Sequence, residues 1–146
     1  MKDYQGVEIL LVEDSVADAE MTQRTLKRRG IANSIIWVKD GVEALEFLFC
    51  EGKYAQRPLD HPKLVLLDLK MPRMDGLQVL EKMKQDARTR AIPVVMMTSS
   101  QEEGDLLASY NLGVNSYIVK PVDFNEFAEI VAQVGMYWMI ANHAPV

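Results

Sequence analysis

The chain has one cysteine, Cys50, and two histidines, His61 and His143, in 146 residues. A lone thiol excludes an intrachain disulfide and suits a reducing compartment. Neither histidine has a cysteine or carboxylate cluster at ligand spacing, so a zinc site is not expected. No apolar stretch approaches the ~18 residues that a membrane span needs. Basic charge is also short: 16 Lys and Arg stand against 21 Asp and Glu, a net charge of −5. That balance argues against nucleic acid as a partner. The first residues, Met1-Lys2-Asp3-Tyr4 with Glu8, Glu13 and Asp14 close behind, do not resemble a signal peptide. The expected location is the cytoplasm. No internal repeat, low-complexity tract or linker divides the chain, and its length fits one domain.

What the chain does have is five short apolar runs, at residues 7–12, 34–38, 64–67, 94–97 and 116–119. The first, third and fourth are apolar almost throughout, as strands covered on both faces should be. Amphipathic stretches separate them, at 17–29, 41–50, 76–86, 101–112 and 125–140. In the third stretch Leu77, Leu80, Met83 and Lys84 follow helical spacing, with the lysine at the edge of the apolar stripe. Asp123, with Glu126 three residues on, opens the last stretch in the manner of a capping box. Strict alternation of strand and helix means βαβ units and a parallel sheet, and right-handed crossovers make that sheet doubly wound. The expected fold is α/β and flavodoxin-like, a doubly wound five-stranded parallel sheet in the order 2-1-3-4-5 with five helices. One domain is expected over 1–146, with its core at about 7–133 and a helical extension at about 134–146. Segment 51–62 is a long connection with two prolines; a surface insertion is its plainer reading and a functional loop the sharper one.

The residues just past each apolar run carry the chemistry. Glu13 and Asp14 follow the first, Asp68 the third, Thr98, Ser99 and Ser100 the fourth, and Lys120 and Pro121 the fifth. In the order 2-1-3-4-5 these strand ends lie along one edge, where ligands of open parallel sheets gather. Three carboxylates at about 4 Å and an effective dielectric near 20 repel by roughly 4 kcal/mol per pair. A hard divalent cation with oxygen ligands and room for water, such as Mg²⁺ or Mn²⁺, removes that cost. Lys120 can neutralise a phosphoryl oxygen, Thr98 can donate its hydroxyl to another, and an aspartate can become an acyl phosphate. Each residue alone has a plainer reading. Glu13 and Asp14 suit a helix N-terminus, Thr98 a helix cap, and Lys120 an ion pair. Complementary groups at four separate strand ends are a poor fit to accident.

Val12-Glu13-Asp14-Ser15, the run from Leu67-Asp68-Leu69-Lys70 to Met74-Asp75-Gly76, Met97-Thr98-Ser99 and Tyr117-Ile118-Val119-Lys120-Pro121 together resemble the receiver domain of two-component response regulators. The resemblance runs from about Val7 to about Gln133. It is strongest to single-domain regulators paired with bacterial phytochrome-type histidine kinases, through the 51–62 segment, Ser109-Tyr110-Asn111-Leu112 and the tail after Gln133. It implies that Asp68 accepts a phosphoryl group from a kinase phosphohistidine. It further implies that Asp14 and Asp68 ligate Mg²⁺ directly, Glu13 through water, and Lys70 through its backbone carbonyl. Thr98, Ser99 and Lys120 would serve the phosphoryl oxygens, and Tyr117 would swing inward as Thr98 moves. Pro121 would follow a cis peptide, and Gly76 would release the chain into the third helix. The expected protein is an acceptor switch rather than an enzyme, with slow self-dephosphorylation. Its partners would be a sensor histidine kinase and, through the face of the fourth helix, fifth strand and fifth helix, a second copy of itself. Neither nucleic acid nor membrane is expected as a partner.

Two positions depart from the family pattern. Ser99 stands where a smaller residue is usual, and Lys70, two residues after Asp68, bears on hydrolysis by excluding or orienting water. Three other functions compete. A flavin-binding flavodoxin-type module shares the fold, but Glu13-Asp14 would repel its phosphate. An aspartate-nucleophile phosphatase needs an acid where Lys70 stands. A constitutive pseudo-receiver scaffold has no use for an intact acidic trio. Residues 136–140 (Met-Tyr-Trp-Met-Ile) read equally as core packing and as a partner surface. Cys50 reads as a small buried hydrophobe on a helix.

Overall fold

A computed structural model of the chain describes residues 6–142. His143 and the segment Met1-Lys2-Asp3-Tyr4 lie outside the described residues. The elements are β1 (Ile9–Val12), α1 (Val16–Arg28), β2 (Ile35–Val38), α2 (Gly41–Leu48), a 3₁₀ turn (Gly52–Tyr54), β3 (Leu64–Leu67), α3 (Gly76–Gln85), β4 (Val94–Thr98), α4 (Glu103–Asn111), β5 (Ser116–Val119) and α5 (Phe124–Met136), which runs into a π-helical turn (Tyr137–Ala141). The strands form one parallel sheet in the order β2-β1-β3-β4-β5. This is the expected topology.

Burial follows position in the sheet. Every residue of the three central strands is buried, whereas β2 and β5 at the edges are only partly covered. Alternate side chains feed two cores. Val12, Leu67 and Met96 pack with Phe47, Leu80 and Met83 of α2 and α3. Leu11, Leu66 and Met97 pack with Leu26, Phe127 and Val131 of α1 and α5. Each fully buried side chain of this size contributes about 1.5–3 kcal/mol from removal of apolar surface from water, so the sheet edge that carries the polar residues rests on a rigid base.

Local chemistry fixes the helix ends. Asp75 and Gln78 form a reciprocal capping box at α3. At α5, Asp123 Oδ1 accepts from Glu126 N at 3.0 Å, as the spacing implied. Helix α2 stops two residues short of Cys50, which has a left-handed φ of 54° and is half-buried. Cys50 is therefore a turn residue rather than a buried helical one. Lys84, at the edge of the α3 stripe, donates Nζ to Arg90 O (3.0 Å) and Ile92 O (3.2 Å).

The 51–62 segment is not a loose insertion. Tyr54 is buried and meets Phe47 edge-on at 5.2 Å. Arg57, only 5% exposed, donates Nε to Phe47 O at 2.9 Å and Nη1 to Pro58 O and Asp60 O at 3.1 and 2.8 Å. A buried guanidinium thus satisfies the carbonyls of a connection that has no ladder of its own. Residues 136–140 divide between the two readings: Trp138 and Met139 pack against the α1–α5 core, while Met136, Tyr137 and Ile140 are exposed. Among the described residues no helix is long and apolar enough to cross a membrane.

Candidate functional site

Register places the acids. Val12 pairs with Leu67 across β1 and β3, so the residues that follow, Glu13 and Asp68, leave the sheet side by side, about 4.8 Å apart in the strand-to-strand direction. Asp68 N donates to Val12 O at 2.9 Å and Glu13 N to Val38 O at 3.1 Å, which carries the ladder one residue past each strand. Glu13 and Asp68 continue the rows of Leu11 and Leu66, which face α1 and α5; Lys120 continues the row of Ile118 on the same face. Thr98 and Tyr117 belong to the opposite row, with Met96. The period of two therefore assigns the acids and the lysine to one side of the sheet, and the threonine and tyrosine to the other.

Carboxylate oxygens of Glu13, Asp14 and Asp68 lie within 4.8 Å of one another, with Asp14 exposed and the other two buried. This donor set suits a hard divalent cation that keeps part of its water. The Lys120 ammonium stands among the carboxylates, 2.6 Å from Glu13 Oε1, 3.0 Å from Asp18 Oδ2 and 3.7 Å from Asp68 Oδ2. Burial raises the pKa of Glu13 to about 8, aided by the Asp68 charge and opposed by Lys120. Burial also raises Asp68, against the pull of Lys120 and a hydrogen bond from Glu13. Burial thus favours a proton on this pair of carboxyls. Burial works against the charged form of Lys120, but Asp68, Glu13 and Asp18 outweigh it and hold its pKa above the usual value. Without a cation the cluster is held by one proton and one lysine.

Several supports of this cluster left little trace in the sequence. Asp18 is one, although an acid in the first turn of a helix, four residues after Asp14, was a signal within reach. Trp37 donates Nε1 to Glu13 O at 2.7 Å and fixes the backbone of β1 at the site. Arg73, with a left-handed φ of 65°, grips Asp40 through Nε and Nη2, both at 3.0 Å. That pair ties the loop after Asp68 to the start of α2. Gly76 is required by close approach: a Cβ there would overlap Asp68 O and Leu69 Cα.

The opposite row is built around Ser100. Thr98 is fully buried; its Oγ1 accepts from Ser100 N at 3.1 Å and its carbonyl accepts from Lys120 N at 2.8 Å. Tyr117 donates its hydroxyl to Ser100 O at 3.1 Å. Ser100 donates Oγ to Asp105 Oδ2 at 2.5 Å, and the same oxygen lies 3.4 Å from Lys70 Nζ. The Ser100 hydrogen bond, chiefly, keeps Asp105 below the usual carboxylate range. Lys70, exposed, therefore reaches across to α4, and Ser99 points to solvent. The Lys120–Pro121 bond is trans, not cis as the resemblance implied. The trans isomer is the intrinsically favoured one by about 0.5–1 kcal/mol for an X–Pro bond.

Residues 9–132 match the response regulator receiver domain. The chain is 42% identical over 138 residues to the probable methanogenesis regulatory protein FilR2 of Methanothrix harundinacea, covering 94% of this chain and 86% of that one. It is 40% identical over 131 residues to the response regulator Rcp1 of Synechocystis, covering 90% and 88%, and the Mn²⁺-bound form of Rcp1 superposes with a TM-score of 0.89 over 96% of this chain and 99% of that one. The phosphorylated cyanobacterial phytochrome response regulator RcpA superposes with a TM-score of 0.90 at 36% identity, covering 96% and 99%. Motifs, sheet order, acidic cluster and near-complete coverage agree, and the chain belongs to the response regulator receiver family.

Proposed function

We propose that Asp68 is the phosphoacceptor of a cytoplasmic two-component switch, and that its donor is the phosphohistidine of a phytochrome-type sensor histidine kinase. One observation carries the reading: Glu13, Asp14 and Asp68 present their carboxylates within 4.8 Å of one another, with Lys120 among them. The likeness to RcpA and Rcp1 supports the phytochrome-type donor. In the transfer an Asp68 oxygen attacks phosphorus, the O–P bond forms as the N–P bond breaks, and the imidazole leaves with that electron pair. Asp14 and Asp68 would hold Mg²⁺ directly, Glu13 through water and Lys70 through its carbonyl; the ion supplies charge neutralisation at the phosphoryl oxygens. Lys120 then exchanges its carboxylate partners for a phosphoryl oxygen, and Thr98 turns its hydroxyl from Ser100 to another.

Incubation with an autophosphorylated phytochrome-type kinase is expected to move label to this chain within seconds in Mg²⁺ and not in excess EDTA. Undiminished transfer in EDTA overturns the metal, and no transfer in Mg²⁺ overturns the donor.

The phosphoryl group is expected to leave slowly, because Lys70 and Ser100 close the loops beside Asp68 through Asp105. A net hydrogen bond contributes about 1 kcal/mol, so Asp105→Ala should shorten the phosphoryl half-life about fivefold. Asp105→Asn, which keeps an acceptor for Ser100, should shorten it less. Equal half-lives for parent and Asp105→Ala would remove Asp105 from this role.

The phosphoryl state is read on the face of α4, β5 and α5, because Tyr117 joins β5 to Ser100. The sequence left two occupants open for this face, a second copy of the chain and a different protein.

A further inference from the structure

The Lys120 ammonium has N–H groups for three acceptors, and two acids already hold it. Glu13 Oε1 accepts at 2.6 Å and Asp18 Oδ2 at 3.0 Å. Asp68 Oδ2, at 3.7 Å, lies beyond hydrogen-bond reach. The lysine expected to serve a phosphoryl oxygen on Asp68 is thus held closer to Asp18, in the first turn of α1, than to Asp68 itself. The turn between β1 and α1 builds this hold. Ser15 N donates to Glu13 Oε2 at 3.2 Å, and Asp18 N donates to Ser15 Oγ at 3.3 Å. Lys120 closes the ring by bonding both acids. Ser15 is the N-cap of α1, so the start of the helix also places the Asp18 carboxylate beside Lys120. The Lys120 side chain is 10% exposed and that of Asp18 24%, so water and salt screen the pair only in part.

The two holders stop being equal once a cation enters. Among the described residues, the carboxylates that converge as a donor set for a divalent ion are Glu13, Asp14 and Asp68. Asp18 lies outside that set, and its ion pair is with Lys120. A divalent ion among the three donors draws on the charge of Glu13 and Asp68 and repels the ammonium. Of the two acids bonded to Lys120, Asp18 is then the one that the ion has not claimed. A phosphoryl group arriving on Asp68 has to win the lysine from it.

We propose that Asp18 is a positioning residue for Lys120: it holds the ammonium off Asp68 while the cation is bound, and a phosphoryl oxygen must displace it. Asp18 touches neither phosphorus nor metal in this role and acts through Lys120. It sets the threshold for the switch, because the work of breaking the Lys120–Asp18 pair is subtracted from the grip on the phosphoryl group. The proposal rests on Asp68 as phosphoacceptor, and its test keeps the two apart.

Beryllofluoride, which adds to a carboxylate as a phosphoryl mimic, serves as the probe. It is titrated into the full chain in saturating Mg²⁺, with Trp37, bonded to the Glu13 carbonyl, as the fluorescent reporter. Asp18→Asn keeps the shape and removes the charge. It should bind beryllofluoride about fivefold more tightly than the parent, the effect of losing one partly screened ion pair from the unliganded state. A merely structural role for Asp18 predicts the reverse sign, because a loosened β1–α1 turn weakens the site. General repulsion between the Asp18 charge and the incoming anion predicts the same sign but does not need the lysine. The substitution is therefore repeated in Lys120→Met, where it should change affinity by less than about twofold, the scatter of independent sites. Rates of labelling by acetyl phosphate give the same four-chain comparison, with the same signs, where Lys120→Met binds beryllofluoride too weakly to titrate. Unchanged or weaker binding in Asp18→Asn overturns the proposal, as does an equal gain in the Lys120→Met background. A parent chain that takes up no beryllofluoride in Mg²⁺ overturns the phosphoacceptor reading instead.

Discussion

Asp68→Asn takes up no phosphoryl group from acetyl phosphate and Mg²⁺, while the parent chain shifts on a phosphate-affinity gel. The amide is close in shape, so the fold is preserved, but it cannot supply the anionic oxygen that attacks phosphorus. No neighbour replaces it well. Glu13 is pushed up to about 8 by burial and is largely protonated at neutral pH without a cation, and Asp14 lies at the exposed rim of the cluster. The loss of labelling should be complete on the scale of the gel. Equal labelling of variant and parent would sink the assignment of Asp68. The same substitution has a second expected result with the opposite sign. It removes one negative charge from a buried group of like charges, and burial already works against the ionised form of Asp68. Asp68→Asn should therefore be more stable than the parent in EDTA, and should gain much less stability from Mg²⁺. A urea titration in each condition reads both effects.

The positions of the main acids were legible because the sheet has a period of two and a fixed strand order. Once 64–67 read as a buried strand, Asp68 had to stand at a sheet edge, and the order 2-1-3-4-5 brought Glu13 and Asp14 beside it. Lys120 was legible for the same reason at the end of β5. The sequence did not reveal which partner each side chain takes. Lys120 was expected on a phosphoryl oxygen, and it lies against Glu13 and Asp18, because a buried ammonium takes the nearest carboxylates available. Lys70 was expected to act through its backbone carbonyl; its side chain extends to Asp105, a contact that spans two loops and has no signature in either. Arg57 holds the 51–62 segment through backbone carbonyls, which sequence patterns do not mark. Most helix ends shifted by one to two residues for similarly local reasons, and the last helix passes into a π-helical turn after Met136. Helix α4, for example, begins at Glu103 because Ser100 Oγ takes the Glu102 N–H and holds that residue in the loop.

Stability in EDTA should fall as pH rises from 6.5 to 8, and Mg²⁺ should cancel the fall. Glu13 is the cause. Its pKa is about 8 in the folded chain against an ordinary value of 4.5, raised first by burial and then by the charge of Asp68. The folded state therefore holds a proton that the unfolded state has released. The corresponding stability is fully present below about pH 4.5 and is lost as pH rises through 8. One proton bound on folding gives a slope of about 1.4 kcal/mol per pH unit, so roughly 2 kcal/mol should be lost across this window. Asp68 shifts in the same direction and adds to the effect. Other shifted groups act elsewhere. Asp40, Glu43, Asp86 and Asp105 are lowered and act below their ordinary values. His61 is lowered and gains stability as pH rises toward 6.5, below the window. Lys84 is lowered by burial, and Lys120 is held above its ordinary value by Asp68, Glu13 and Asp18. Mg²⁺ needs ionised carboxylates, so its binding expels the proton, and its apparent affinity should rise about tenfold per pH unit up to 8 and then level off. Urea midpoints at pH 6.5 and 8, in EDTA and in saturating Mg²⁺, test the first half. A Mg²⁺ titration followed by Trp37, whose indole is bonded to the Glu13 carbonyl, tests the second. Glu13→Gln cannot titrate and should flatten both profiles. A flat midpoint in EDTA, or an unchanged slope in Glu13→Gln, would mean that the shared proton is not on Glu13.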